Sequence, residues 1–348
     1  MGLRETLRLI DGATALQESS HSSAGIRSPW TVGQLSQIVW SDILGAESLP
    51  VTRAEAMAIP AIARGRHLLV TTVARLPMWT YRQGQQVPQG PQWLYRTNLG
   101  TSIQHRLAMT VDDLIFTGWS LWAVERDDTD AITDAGRIPA EWWHFDDDGN
   151  VVVQKPGQEE AVADNDAVIL IPGFHEGIIN SASRTIRGAR ELETQWAQRA
   201  ANPIPALELH QTDNTELLDE EIVAMVEDWK TAMSDQGGAV AYTPSSIELR
   251  PHGTAATDLL IQGRNAAAVD AARILGISAS LIDATGVNAT LKYETQQGTS
   301  SDFYDFSVPL YTDPISARLS LDDVTPPGTW VGFDYAALPP NRRQALED

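Results

Sequence analysis

Three carboxylates close together, Asp127, Asp128 and Asp130, are the residues of this sequence most able to do chemistry. Paired carboxylates can hold Mg²⁺, and a bound Mg²⁺ can activate water for phosphoester hydrolysis. Such an enzyme also needs a loop that holds the phosphate or a positioned base, and the sequence contains no G-x-x-x-x-G-K, H-E-x-x-H or G-x-S-x-G motif. A solvated loop is the favoured interpretation, and a metal-dependent phosphoesterase is an alternative.

A second group of oxygen ligands, Asp146, Asp148 and Asn150, has the alternation that opens a calcium-binding loop. The sixth position of that loop would be Val151 instead of glycine, and the twelfth would be Gly157 instead of glutamate. A hairpin turn is therefore favoured. The chain has no cysteine, and its 7 histidines are never three or four residues apart, as two ligands on one helical face would be. We predict no metal, no cofactor, no catalytic residue and no enzymatic activity.

The charge of the chain is strongly acidic, with 46 Asp and Glu against 25 Lys and Arg and a formal net charge of −21. This balance argues against a protein that grips nucleic acid by neutralising many phosphates. Residues 125–166 and 203–253 carry most of the excess. The N-terminus lacks the apolar core of a signal peptide, and the longest apolar run is too short to cross a bilayer. We expect synthesis in the cytoplasm and no membrane partner.

The elements that must position these residues begin with a helix. Thr52 and Glu55 form a capping box, and apolar residues then recur at spacings of three or four up to Pro77. Pro60 falls inside this pattern, so the helix is either kinked there or restarts with Pro60 near its N-terminus. Met78 to Arg82 is predicted to be a strand. The rest of the first half is predicted to contain a helix at 102–117, a strand at 119–126, a hairpin at 142–154 and a strand at 167–171.

The second half contains two long helices on either side of a compact insertion. The first is predicted at Ser181 to Asn202 and the second at Thr257 to Leu275, with Gly276 as its C-terminal cap. Between them, residues 203–253 hold an acidic helix and two short strands around Val240 and Leu249. The first long helix carries four arginines that would contact either a phosphate backbone or, as we favour, the acids of a neighbouring subunit: Arg184, Arg187, Arg190 and Arg199.

The order of these pieces resembles the portal protein family of long-tailed bacteriophages, from about Val51 to Leu321. No single segment is specific, but the matches occur in sequence order. The segments that resemble the family are Ala56 to Tyr81, Gly118 to Trp122, the helix pair around the insertion, Ala272 to Ile277, and Glu294 to Pro309. The chain departs from the family at Ser278-Ala279, where the family has Pro-Pro, and we expect a loop of different shape there.

The resemblance implies an α+β, portal-type fold with a mixed α/β wing, a two-helix stem, a small α/β clip and a C-terminal kinked helix with a minimal crown. The implied divisions are an N-terminal arm at 1–50, the wing at 51–179, a stem helix at 180–202, the clip at 203–253, a returning stem helix at 254–276, a channel loop at 277–292, a wing or crown helix at 293–324 kinked at Pro309, and a Pro-rich, extended tail at 325–348.

The resemblance also implies a function. Portal proteins of this type form rings, usually of twelve subunits, at one capsid vertex of the virion, and double-stranded DNA passes through the ring during packaging and ejection. The implied partners are the major capsid protein, the terminase large subunit and a head-tail adaptor. Another structural head-tail component remains an alternative.

Two sets of site residues follow from that reading. The residues expected closest to DNA are Asn288, Thr290 and Lys292. The clip residues expected to line the exit or to contact the adaptor or terminase are Glu216, Asp219, Glu220, Glu221, Glu227 and Asp228.

Overall fold

The fold is taken from a computed structural model of the 348-residue chain. The structure describes residues 51–88, 90–97, 100–201, 206–213, 218–234, 246–252, 260–282, 284 and 302–337. The predicted arm at 1–50, the predicted strand around Val240 and most of the predicted channel loop lie outside these ranges. No helix in the described ranges is both long and apolar enough to cross a membrane.

The α-helices, numbered in chain order, are α1 Arg53–Met57, α2 Pro60–Ala74, α3 Ile103–Thr117, α4 Ile178–Ser181, α5 Ser183–Ala201, α6 Asp219–Ser234, α7 Ile261–Ile274 and α8 Pro309–Leu319. A π-helix, Phe303–Ser307, runs directly into α8. Short 3₁₀ turns include Gln92–Leu94 and Ala279–Ile282.

The strands are β1 Met78–Arg82, β2 Gln85–Gln86, β3 Trp119–Arg126, β4 Ile132–Ile138, β5 Trp143–Phe145, β6 Val151–Val153, β7 Ala161–Val162, β8 Val168–Pro172, β9 Ala206–Gln211, β10 Ile247–His252 and β11 Trp330–Phe333. They form antiparallel sheets in the orders β11-β1-β2, β4-β3-β8, β5-β6-β7 and β10-β9. The predicted mixture of helix and sheet is confirmed.

The break between α1 and α2 settles how the chain accommodates Pro60. Thr52 caps α1 through the predicted capping box with Glu55. Ile59 is extended, with φ −86° and ψ 116°, and Pro60 is the first residue of α2. A residue before proline avoids the helical region, so the helix restarts at Pro60 instead of bending through it.

Several elements differ from the sequence prediction. The second long helix, predicted from Thr257, begins at Ile261, and the C-terminal helix, predicted to reach residue 324, ends at Leu319. The helix predicted without interruption from Ser181 is split, because Ala182 leaves helical geometry between α4 and α5, with φ −117° and ψ 16°. Strand β4 was missed, since Thr133, Asp134, Gly136 and Arg137 interrupt its apolar alternation. Strand β11 was also missed: part of the tail expected to be merely extended adds a strand to β1, with Met78 opposite Phe333.

The main hydrophobic core lies between helices and the β4-β3-β8 sheet. Helices α2 and α3 pack on each other, and α8 packs against β8 and β11. Fully buried apolar side chains from each of these elements form one cluster, which includes Leu69, Leu114, Trp122, Ile169 and Ile315. This cluster fixes the helices that carry the charged residues discussed below.

The chain divides into two compact units. One contains Met1–Leu192 and Gln262–Asp348, and the other contains Glu193–Ile261. Helices α5 and α7 therefore lead into and out of the second unit. The predicted clip at 203–253 falls within that second unit, while the finer division into wing, stem, clip and channel loop stays a prediction.

Candidate functional site

Helix α6 of the second unit exposes acidic and apolar side chains together. Asp219, Glu220 and Glu221 occupy its first turn, where the positive end of the helix dipole stabilises them. Glu221 also accepts a hydrogen bond from the Leu218 backbone N–H at 3.1 Å. Farther along, Glu227 accepts from Lys230 Nζ at 2.7 Å. These acids and Asp228 are solvent exposed, whereas Glu216 lies outside the described residues.

Apolar residues on the same helix are exposed as well. Leu218 and Val223 are 68% and 62% exposed, and Ile222 and Val226 are partly exposed. A helix whose acidic and apolar side chains are both exposed to solvent has the composition of a protein contact surface. Strands β9 and β10 form a two-stranded ribbon in the same unit, with Leu209 opposite Leu249.

The arginines of α5 do not form a single cluster. Ile186 and Ala189 are the buried positions of the helix, so its other faces carry the charges. Arg184 is exposed, Arg187 is half-buried, and Arg190 forms an ion pair with Glu55 at the start of α1. Arg199 belongs to α5, but its side chain lies outside the described residues. Their predicted contact with a neighbouring subunit stays a prediction.

Helices α5 and α7 approach each other closely at Gly263. A Cβ atom on Gly263 would lie 3.4 Å from the terminal carbons of Leu192, so glycine leaves room for that side chain. Gly276 follows α7 with φ +66°, and the Ile277 backbone N–H donates to Ala272 O at 3.0 Å. Glycine thus ends the helix as the sequence predicted.

The structure does not describe the three predicted DNA-facing residues, Asn288, Thr290 and Lys292. What it does describe is the chain before them. Ala279, which stands where the family has proline, begins a 3₁₀ turn, and the side chains of Ser278 and Ser280 are 2.9 Å apart, joined by a hydrogen bond.

The carboxylates considered for metal binding have other partners. Asp127 Oδ1 accepts from the Thr129 N–H at 2.8 Å, the Thr129 hydroxyl at 2.6 Å and the Ala131 N–H at 3.1 Å. The Thr129 hydroxyl and backbone hydrogen bonds lower the pKa of Asp127. Asp146 accepts from the backbone and side chain of Asn150 across the β5–β6 turn. Among the described residues, no three His, Cys, Asp or Glu side chains group as metal ligands would.

A buried charged network on α3 went unrecognised in the sequence. Asp113 accepts from Arg137 Nε at 2.8 Å and from Ser120 Oγ at 2.9 Å, and burial raises its pKa while Arg137 acts in the opposite direction. Asp112 accepts from Arg53 at 2.7 Å and Arg66 at 2.6 Å. The available signal was an Asp-Asp pair flanked by apolar Val111 and Leu114 in α3, because carboxylates buried among such residues require charged or polar partners.

Known proteins share the sequence pattern and the fold of this chain. A family model described as "Phage portal protein" matches residues 60–344. The crystal structure of an HK97 family phage portal protein from Corynebacterium diphtheriae is 32% identical, with a TM-score of 0.68 over 82% of this chain and 96% of that one. The neck of a native gene transfer agent particle, computed with C12 symmetry, shares the fold at 16% identity and a TM-score of 0.61 over 90% of this chain and 87% of the other. No curated protein sequence matches significantly.

The family match covers most of the chain, and the crystal structure exceeds 30% identity over almost its whole length. The portal family is structural and not enzymatic, which leaves the phosphoesterase alternative without support. The chain belongs to the phage portal protein family.

Proposed function

We propose that twelve copies of this chain assemble into a ring at one vertex of a phage capsid and that double-stranded DNA passes through the ring during packaging and ejection. The observation that carries the proposal is the portal fold itself, in which two long helices lead into and out of a separate unit with an acidic, exposed helix. The number twelve follows the C12 symmetry under which the related neck was computed. The location is the virion, after synthesis in the cytoplasm of the host bacterium.

Charge supports a channel that conducts DNA without holding it. A channel that must let a polyanion slide should repel phosphates weakly and should not neutralise them, because each neutralised phosphate adds affinity. The formal net charge of −21 fits this requirement. Asn288, Thr290 and Lys292 are proposed to lie closest to the DNA, and the interaction is proposed to have no sequence specificity.

Helix α6 is proposed to contact the head-tail adaptor or the terminase large subunit. Its acids attract basic partners at long range, while its exposed Leu218 and Val223 offer the apolar area that such interfaces bury. The first unit is proposed to contact the major capsid protein, and the arginines of α5 are proposed to contact the neighbouring copy.

Ring formation is tested by the mass and shape of the purified protein. Twelve copies of a 38.0 kDa chain make a particle of about 460 kDa. Light scattering should report this mass, and negative-stain images should show closed rings. A monomer at all accessible concentrations would overturn the proposal.

The role of Lys292 is tested by charge reversal. Lys292→Glu in the intact phage should change the length of packaged genome or slow ejection, because a negative charge next to the DNA raises the barrier to sliding. Lys155→Glu, the same change just after β6, is the matched control and should leave both measurements unaltered. Normal packaging and ejection in both variants would remove Lys292 from the channel.

The role of α6 is tested by binding. A Glu220→Lys, Glu221→Lys variant should still form rings but should lose at least tenfold in affinity for the adaptor or for the terminase large subunit. Glu159→Lys, Glu160→Lys provides a matched control, because both residues are exposed and lie in the first unit. Equal binding by both variants would show that α6 faces neither partner.

A further inference from the structure

A cavity of about 230 Å³ lies in the first unit, beside α3 and β4. It belongs to none of the surfaces assigned above. The side chains that line it include Thr97, Thr101, Arg106, Met109, Arg137 and Pro139. The cavity combines two guanidinium groups and two threonines with the apolar side chains of Met109 and Pro139, a composition that suits a small anion with an apolar part.

Arg106 is the most unusual of these side chains, because it is a cation buried to 2% exposure. Its two terminal nitrogens donate to Ala135 O at 2.5 Å and Trp93 O at 2.6 Å, and its guanidinium lies 4.6 Å from the ring centre of Trp122. Among the described residues no carboxylate lies within ion-pair distance of it, and its Nε has no hydrogen-bond partner. This Nε has almost no surface that a water-sized group could reach, so the uncompensated charge of Arg106, and not its Nε, would attract an anion in the cavity.

Arg106 is charged at neutral pH. Burial lowers its pKa to about 10, and the charge of Asp134 acts in the opposite direction. The side chain therefore keeps its proton under any physiological condition. A guanidinium that stays charged attracts anions.

Arg137 supplies a second guanidinium. Its Nε and Nη2 donate to the two oxygens of Asp113 at 2.8 Å and 2.5 Å, which fixes the plane of the group. Its other terminal nitrogen, Nη1, donates to no acceptor within the part of the chain that the structure describes. The cavity is therefore bordered by two arginines: Arg106 supplies a buried positive charge, and Arg137 also keeps one terminal nitrogen available to donate.

We propose that this cavity binds one oxyanion group per chain, either a carboxylate or a phosphate. Guanidinium donors in fixed orientation match the oxygens of both groups. The volume suits a single such group on a short carbon stem and excludes a DNA duplex. Binding at this site is independent of the proposed passage of DNA.

Equilibrium dialysis of the full-length protein tests the proposal. Radiolabelled inorganic phosphate and radiolabelled acetate are used in separate arms at constant ionic strength set with sodium chloride. We expect saturable binding of at least one of the two at one molecule per chain. Preference for phosphate or for acetate identifies the source of the oxyanion. Failure of both to bind overturns the proposal.

Two variants locate the binding. Met109 is 41% exposed, so Met109→Trp fills the cavity from its rim without replacing either arginine and should weaken binding at least tenfold. Val162→Trp adds the same indole to an exposed position of β7 and should leave binding unchanged. Arg106→Met should abolish binding, and circular dichroism establishes whether that variant is folded. Undiminished binding by folded Met109→Trp overturns the assignment to this cavity, whatever Arg106→Met does.

Discussion

Glycine at position 177 is predicted to be indispensable, whereas glycine at position 188 is not. Gly177 precedes α4 with φ +77° and ψ 143°, a conformation that L residues rarely adopt. A Cβ atom there would overlap the Thr117 carbonyl carbon and would lie 2.5 Å from Phe116 O. Both obstacles are backbone atoms at the end of α3, so no side chain can turn away to make room.

The magnitude follows from these two effects. The backbone conformation costs an alanine about 1–3 kcal/mol, and relieving the overlap by moving packed backbone costs about 1–3 kcal/mol more. We therefore expect Gly177→Ala to lower the free energy of unfolding by about 4 kcal/mol. Gly188 lies inside α5, and a Cβ atom there meets nothing within 4 Å. Gly188→Ala should raise the free energy of unfolding by about 1 kcal/mol, because alanine favours the helix.

Urea unfolding followed by far-UV circular dichroism measures both changes. The two variants and the parent chain must be compared at one protein concentration, since assembly makes apparent stability depend on concentration. Both glycines lie in the first unit, so the same transition reports on them. A loss of less than about 1 kcal/mol in the free energy of unfolding of Gly177→Ala, or shifts of the two variants in the same direction, would contradict these predictions.

Further predictions concern the charged and hydroxyl groups. Asp113→Ala and Arg137→Met should each lower the free energy of unfolding by about 3 kcal/mol. The double variant should lose much less than the sum of the two single losses, and additive losses in a double-mutant cycle would contradict the pairing. The Thr52 backbone and hydroxyl hold the pKa of Glu55 below 4.5 in the folded protein. The stability that Glu55 contributes is therefore complete above pH 4.5 and is lost as the pH falls through the lower folded pKa. Glu55→Gln should make the urea unfolding midpoint depend less on pH between about pH 6 and about pH 3. Tyr311→Phe removes the 3.2 Å hydrogen bond to Leu275 O and should lower the free energy of unfolding by about 1 kcal/mol. An unchanged urea unfolding curve would contradict this prediction.

Local signals in the sequence were sufficient for α1, α2 and α3 and for several strands. The capping box at Thr52, the serine cap before α3 and Gly118 at its end each act within one turn, so their effect can be worked out from neighbouring residues. Strand β3 likewise matches its predicted bounds, Trp119 to Arg126, because aromatic and β-branched residues fill it.

The missed elements depend on distant partners. Strand β11 contains only Trp330, Val331, Gly332 and Phe333, and its local pattern is weak; it becomes a strand because β1 offers a free edge. Gly332 also lets the Trp330 ring fold over the strand, and that ring stacks on Tyr81 with centroids 4.5 Å apart. The residues next to Trp330 in the sequence indicate neither its pairing with β1 nor its contact with Tyr81.

The candidate site divides in the same way. The acids of α6 were identifiable because a charged face is a property of composition and spacing alone. The cavity beside Arg106 was not, because it requires α3, β4 and the Trp93 carbonyl to meet around one side chain. Burial of a charge is decided by tertiary packing, and an arginine in an amphipathic helix usually lies on the surface.

The pairing of β1 with β11 delays completion of one sheet until the end of the chain has been synthesised. Met78 must wait for Phe333, about 250 residues later, and a ribosome adding about 5–20 residues per second needs roughly 12–50 s to deliver it. During that time Trp79 and Tyr81 stand on a strand with one unpaired edge, the kind of surface that joins to other nascent chains. Completion of the β11-β1-β2 sheet is therefore a late event of synthesis, and a chain cut short before Trp330 would meet other chains with that edge still open.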